Sequence, residues 1–405
     1  FQAEDGIRDR SPSRGLGDVY KRQDLKQSLY DDGEVIMDQV LVCLHGEEHK
    51  KRRKLENKIF TRDIFKYYEN EVFPKTINET LEPYKKSGRM DLVDYGFRVL
   101  LNLTADFSGV DRPKKSKEET EKLLTLLKIF ASGATLHHST RDHEEVKDEV
   151  RNALKEFDDQ FLKHSIERRK NLIKKKDFEN LPNDILTVLL VNDDDLSLPY
   201  DVLQREIAFY LLAGAQTSIH SLVHVFHEIH EWVKNKPEEK DKMINDPIFI
   251  QKCFLESTRL HPSSPVAIRK PVCPVKLPND NEANLGDSVI IDLYNSNRDK
   301  KIFGDDADKF NPYREPPSGQ NLYGLSFGLG MHSCIGRNLA AGVNSKPDTD
   351  PNNHHYGTVT MILRELISRN AIPDPDDAPK MDDKTKRPNW GYYPIVFSSK
   401  ESHSE

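Results

Sequence analysis

The 21 residues from Ile207 to His227 contain no Asp, Glu, Lys or Arg. A run of that length matches the thickness of a bilayer. It also holds Gln216, Thr217, Ser218, His220, Ser221, His224 and His227, a polar load that is expensive in lipid. A long helix through the centre of a large globular domain satisfies both observations. Pro199 suits the start of such a helix, where its missing N–H costs nothing, and the helical pattern continues to Trp232. The rest of the chain must therefore wrap one long, centrally buried helix.

At 405 residues and 36% apolar content, the chain can do this within a single large domain. Charge is abundant but mixed, with a net value of −7, so neither a nucleic-acid surface nor a polyanionic tail is implied. The basic runs Lys50-Lys51-Arg52-Arg53-Lys54 and Lys174-Lys175-Lys176 read as solvated helix faces. The four cysteines, Cys43, Cys253, Cys273 and Cys334, include no C-x-x-C pair, which fits a reducing compartment. Helical periodicity covers Asp91–Phe107, Glu118–Phe130 and Arg141–Lys175, and short Val/Ile/Leu runs with Pro, Asn and Gly between Lys270 and Ile302 read as small strands and turns. Residues 1–23 carry alternating charge with no apolar period and resemble translated adapter sequence. They are expected to be foreign to the fold, leaving one domain over residues 24–405 that lacks its N-terminal portion.

Cys334 lies in Phe327-Gly328-Leu329-Gly330-Met331-His332-Ser333-Cys334-Ile335-Gly336, followed by Arg337-Asn338-Leu339-Ala340. Glycines allow the tight turns, and a helix start supplies N–H groups that stabilise negative charge on sulfur. A lone cysteine is more often a small buried hydrophobe, but here every fixed position of a longer frame is filled. The pattern F-x-x-G-x-H-x-C-x-G-x-x-L-A resembles the haem-ligand loop of the cytochromes P450, the haem-thiolate monooxygenases. Four further motifs follow that family's order. Ala213-Gly214-Ala215-Gln216-Thr217-Ser218 resembles the segment over the distal haem face. Glu256-Ser257-Thr258-Arg259, followed by His261-Pro262, resembles the E-x-x-R motif, and Arg314 in Phe310-Asn311-Pro312-Tyr313-Arg314 matches the third member of its buried network. His49 and Arg53, at i and i+4, resemble a propionate-binding helix. Arg269, after Pro265-Val266-Ala267-Ile268, matches a second propionate ligand.

The resemblance implies a mainly α fold with a small β region, the cytochrome P450 fold, and haem b with Cys334 as axial iron ligand. Phe327 would wall the haem, while His49, Arg53, Arg269 and His332 would meet its propionates. Glu256, Arg259 and Arg314 would hold the cysteine loop. Thr217 and Gln216 would manage protons for bound dioxygen, with Gln216 standing where the family usually has an acid; an amide orients water but does not relay a proton as a carboxyl does. Alone, Thr217 is also expected to bond back to a carbonyl four residues earlier and open a bulge. Small residues at 213–215 are expected to let a flat body approach the helix.

The implied activity is monooxygenation of an apolar small molecule. Electrons would pass from NAD(P)H through a ferredoxin reductase and ferredoxin to a cytoplasmic, monomeric enzyme of the soluble bacterial type, with no nucleic acid or membrane involved. Gln216 keeps open a peroxide-using enzyme or an isomerase, and the N-terminal truncation keeps open an inactive haem-binding fragment. His220, His224 and His227, with Glu228 and Glu231 behind them, form a helical stripe of the kind that can hold zinc; without H-E-x-x-H, core histidines are the expected reading. Pro347, Pro351, Asn352 and Asn353 cannot comfortably continue the helix expected after Ala341. Residues 343–357 are therefore expected to loop out as an insertion, with helix resuming at Thr358.

Overall fold

The charge-free run forms the middle of a helix spanning Tyr200–Asn235, with Pro199 at its N-cap. The computed structural model describes residues 24–397 apart from 115, 279 and 280, so the expectation for residues 1–23 lies outside the described residues. The helices that position the site are, in chain order, α1 (Gly46–Glu56), α2 (Leu92–Ser108), α3 (Lys117–Ala134), α4 (His143–Phe157), α5 (Tyr200–Asn235), α6 (Pro247–Leu260), α7 (Arg337–Ala341) and α8 (Thr358–Ser368). The long charged helix expected over Arg141–Lys175 is α4 extended through a π-helical turn, Asp158–Leu162, into Lys163–Lys174. Asp91 caps α2 by accepting from the Val93 N–H, and Ser116 caps α3 by accepting from Glu119, each supplying a partner to an otherwise orphan first-turn donor.

Between Val202 and His230 only Gly214 and Thr217 are exposed. Ile207, Leu211, Ile219, Leu222 and Phe226 are fully buried, each contributing about 1.5–3 kcal/mol of apolar transfer. Two local expectations need correction. A Cβ on Gly214 would lie 2.7 Å from Thr104 Cγ2, so this glycine first serves the close approach of α2 to α5. The Thr217 hydroxyl does donate to the Ala213 carbonyl, at 2.9 Å, but α5 passes through it without a bulge because its backbone ladder stays intact.

The β structure is minor. Strands β1 (Leu25–Gln27), β2 (Arg89–Asp91), β3 (Val266–Pro271), β4 (Val289–Asp292), β5 (Ala371–Pro373), β6 (Lys380–Met381), β7 (Trp390–Tyr392) and β8 (Pro394–Phe397) make two three-stranded sheets and a hairpin. The first sheet runs β1-β3-β4, antiparallel, and sets Gln27 opposite Arg269. The second runs β2-β8-β5, and β6 pairs with β7. The architecture is the expected one, mainly α with a small β region.

One basic residue departs from its expected solvated face. Arg52 is buried between two acids, its Nε donating to Glu56 at 3.3 Å and its Nη2 in contact with Glu206 of α5. Glu206 also accepts the Leu41 N–H at 2.9 Å, and the Tyr210 hydroxyl donates to Glu56. This buried network ties α1 to the central helix.

Helix α7 stops at Gly342, and α8 begins after Gly357. Both glycines have positive φ, +70° and +80°, where a side chain would be strained. They also lie back to back: a Cβ on Gly342 would meet Tyr356 C at 2.5 Å, and one on Gly357 would meet Ala341 C at 2.6 Å. The Val343 N–H donates to the His355 carbonyl at 3.0 Å. Gln251 Nε2 donates to Ala341 O at 2.8 Å and lies 3.1 Å from Val343 O. Glu69 accepts the Tyr356 N–H at 2.7 Å. The excursion thus leaves and re-enters the fold at one point. Replacing the segment 344–353 by a short Gly-Ser link, which keeps Val343, His355 and Tyr356 at the neck, is expected to leave a single cooperative thermal transition; loss of folded protein would show that the loop is integral.

Candidate functional site

The cysteine loop takes its shape from two glycines. Gly328 and Gly330 have φ of +65° and +68°, and a short 3-10 turn covers Gly330–His332. The Cys334 N–H then donates to the Phe327 carbonyl at 2.7 Å, closing the loop. Phe327 packs edge-on to Tyr323, centroids 4.9 Å apart. Cys334 is exposed, yet protein surrounds it closely enough that burial pushes its thiol up. Opposing the burial are the backbone N–H groups of Gly336 and Arg337 and the charges of Arg53 and Arg337, all of which favour the thiolate.

The loop is fastened from behind. Arg259 is fully buried and donates through Nε and Nη2 to Glu256, at 2.9 and 2.7 Å. Arg314 Nε donates to Glu256 at 3.0 Å and its Nη1 to Asp306 at 2.8 Å. The expected Glu256/Arg259/Arg314 network is thus assembled, and the remaining donors of both arginines go to carbonyls: Arg259 Nη1 to Ala307 at 2.6 Å, Arg314 Nη2 to Asp306 at 2.9 Å. A buried charge cluster is tolerable only when satisfied in this way. The connection to the cysteine loop runs through Asn297, which no motif singled out. Its side chain donates to Arg259 O and Ser326 Oγ, both at 2.9 Å, and accepts the Leu325 N–H at 2.8 Å. From the other side, Arg53 Nη2 donates to the Ser333 carbonyl at 2.7 Å, next to Cys334.

The four residues expected at the propionates divide between two elements and the loop. His49 and Arg53 stand on α1, Arg269 on β3, and His332 in the cysteine loop. His49 and His332 have ring centroids 4.6 Å apart. Burial holds His332 neutral, its pKa pushed down to about 3, and the neighbouring charges of His49, Arg269, Arg53 and His45 push the same way. Both His332 ring nitrogens are buried without a hydrogen-bond partner among the described residues. Arg269 donates to Gln27 and to the Ile268 carbonyl, neither of them an acid. Arg269 and His332 thus bring a guanidinium and two unused ring nitrogens to one place, the kind of arrangement that propionates would complete.

On α5, Thr217 sits at the exposed position with Gln216 beside it. The Gln216 amide nitrogen lies 2.9 Å from His220 Nε2, and its Oε1 is buried without a partner among the described residues. Burial pushes the His220 pKa down to about 3, so the ring is neutral and accepts from the amide. Ser263, on the segment after α6, donates its hydroxyl to the Thr217 carbonyl at 3.4 Å and lies 3.5 Å from Ser221 Oγ. The remaining histidines of the stripe have protein partners: His224 stacks on His261 at 4.3 Å, and His227 meets the Tyr393 hydroxyl at 3.0 Å. Among the described residues no group of three or more ligating side chains is placed to hold a metal ion.

The model of the cytochrome P450 family matches residues 17–342, most of the chain. The chain belongs to the cytochrome P450 family. The match ends at Gly342, where α7 turns out into the loop. Among curated relatives, the chain is 30% identical over 161 residues to cytochrome P450 52C1 of Candida tropicalis, 27% over 216 residues to alkane hydroxylase MAH1 of Arabidopsis thaliana, and 24% over 298 residues to a cytochrome P450 of Bacillus subtilis. These alignments cover 34%, 47% and 72% of this chain and 32%, 42% and 64% of the relatives. The chain thus spans less than two thirds of the length of each of these relatives. Among solved structures, CalO2 has a TM-score of 0.73 at 17% identity, with 95% of this chain and 89% of that one covered. P450BioI bound to an acyl carrier protein ligated with hexadec-9Z-enoic acid has a TM-score of 0.70 at 17% identity, covering 95% and 90%. These place the fold. A P450 haem suits the residues found: a sulfur in a loop fixed from both sides, and orphan His332 nitrogens amid cations. No helix among the described residues is long and apolar enough to cross a membrane.

The Arg52 network gives this P450 site a pH signature. Two buried acids share one guanidinium; Glu206 has the closer arginine contact and the Leu41 amide, while burial and the Glu206 charge push Glu56 up to about 8. Folding therefore favours protonated Glu56, and its contribution is full below the ordinary carboxylate range near 4.5, then falls as pH rises towards about 8. Glu56→Gln keeps the acceptor for Tyr210 without the charge. Its Tm is expected to gain on the wild type between pH 5 and pH 8.5, by several degrees at the upper end, as read by thermal denaturation at both pH values.

Proposed function

We propose that this P450 is a haem-thiolate monooxygenase that oxygenates an apolar small molecule with electrons from a separate partner. The observation that carries the reading is the pairing of the fastened Cys334 loop with the cation cluster around His332. When bound, the haem supplies oxygen activation at iron, which a cysteine thiolate favours by donating electron density. Cys334 would bind the haem iron through its sulfur, with the Gly336 and Arg337 amides tempering the charge on that sulfur. His49, Arg53, Arg269 and His332 would bind the propionates, and Phe327 would flank the ring. Electron donors of the ferredoxin and ferredoxin-reductase type, drawing on NAD(P)H, fit the family resemblance, and four free cysteines fit a reducing, cytoplasmic setting.

The α5 residues arrange protons rather than relay them unaided. The Thr217 hydroxyl gives its own proton to the Ala213 carbonyl and keeps lone pairs to accept from water. Gln216 gives an N–H to His220 and leaves Oε1 to order a second water. Gln216 also favours a second reading, a peroxide-driven enzyme that needs less proton delivery.

The reduced, carbon-monoxide-bound protein is expected to show the long-wavelength Soret band of a thiolate ligand, and Cys334→Ser to lose it; an unchanged band in the variant would remove Cys334 from the iron. With redox partners and an apolar substrate panel, Gln216→Asp is expected to raise product formed per NAD(P)H by about tenfold, below the ~10²–10⁴ of a fully positioned acid–base group. Efficient peroxide turnover with no NAD(P)H-coupled product would instead establish the second reading.

A further inference from the structure

Five arginines are buried among the described residues: Arg52, Arg169, Arg259, Arg314 and Arg387. Four have carboxylate partners, Arg52 with Glu56 and Glu206, Arg169 with Asp111 and Asp184, Arg259 with Glu256, and Arg314 with Glu256 and Asp306. Arg387 is the exception. Its side chain is 7% exposed, and no carboxylate of the described residues lies within ion-pair distance. Nη1 donates to the Ser263 carbonyl at 3.0 Å, and Nε lies 3.5 Å from Thr385 Oγ1. No described residue accepts from Nη2. Asp382 acts on Arg387 through its charge without making an ion-pair contact; a desolvated guanidinium with no carboxylate in contact is costly, and its planar fork matches a carboxylate.

The position of Arg387 says what could meet it. It lies on the turn between β6 and β7, which the α3–α4 connection clamps: Thr140 Oγ1 donates to Asp383 O at 2.7 Å, and the Lys386 N–H to His138 O at 2.7 Å. Ser263 joins it to the distal cluster, since the residue whose carbonyl takes Arg387 also bonds the Thr217 carbonyl. The charge of Arg387 is felt by His220 of α5, and by Tyr30, which also feels Arg269 and Cys334 and so lies between the two arginines. The charges that press on His332 are instead those of His49, Arg269, Arg53 and His45. Arg387 is thus a second positive centre, on the Thr217 side of the site.

We propose that Arg387 anchors a carboxylate carried by the substrate, so that apolar molecules ending in an acid are preferred over their neutral counterparts. This rests on the P450 substrate-site reading above. Burial also pulls the guanidinium down from its usual range, a cost that a bound carboxylate would offset.

The test titrates the full chain, haem-loaded and haem-free, with hexadecanoate and hexadecan-1-ol, following the haem spin-state shift in the first form and Trp390 fluorescence in the second. Wild type is expected to bind the acid about tenfold or more tightly than the alcohol. Arg387→Gln, which keeps a donor for the Ser263 carbonyl, should bind both within about twofold while retaining the alcohol affinity; Arg387→Lys should keep part of the preference. Equal wild-type affinities, or an acid preference that survives in Arg387→Gln, would overturn the proposal. So would Arg387→Gln protein that loses haem uptake but keeps the acid preference, which would assign the arginine to a propionate. A wild-type chain that takes up no haem yet prefers the acid by fluorescence would remove the P450 function while leaving this inference standing.

Discussion

The hydrogen bond from the Cys334 N–H to the Phe327 carbonyl closes a loop that would otherwise be a flexible glycine-rich segment, and the site depends on its staying closed. Two sets of contacts keep it so. Behind it, Glu256, Arg259 and Arg314 form a charged block that Asn297 links to Leu325 and Ser326. In front, Arg53 holds the Ser333 carbonyl. A sulfur held on rigid supports is a positioned ligand; the same sulfur on a free loop would be a reactive thiol.

Charge is distributed with opposite logic at neighbouring places on α1. Arg52 faces α5 and is held between Glu56 and Glu206, whereas Arg53, one residue on, gives Nη2 to the Ser333 carbonyl of the cysteine loop. The helical turn of about 100° per residue separates the two environments. The first is self-contained and serves as a strut. The second reaches into the cysteine loop, where both His332 ring nitrogens are unused among the described residues, and groups of this kind mark what a fold is prepared to receive.

Much of this was legible in the chain because the requirements are local. The positive φ of Gly328 and Gly330 demands glycine, so the cysteine frame shows itself in sequence. His49 and Arg53 share a helix face by spacing, and Glu256 and Arg259 do likewise. The charge-free run announced a buried central helix, and the prolines after Ala341 announced its companion's interruption. What could not be read depends on meetings between distant segments. Arg52 sat within a basic run whose solvated appearance hid a partner 154 residues away. Asn297 and Arg387 carry no motif, and their roles exist only once α6, the β6–β7 turn and the cysteine loop converge. Gly214 was assigned to the ligand face because a sequence cannot say which neighbour will occupy the missing Cβ.

The first sheet has a consequence for how this protein is made. Its β1 strand sets Gln27 opposite Arg269, and Arg53 reaches a carbonyl 280 positions further along. The cluster therefore draws on three widely separated stretches of the chain, at Arg53, Arg269 and His332. Contacts so far apart form late in folding, after long loops have closed. Helix α1 can form from its own residues, but what Arg53 holds exists only once the chain has returned to it.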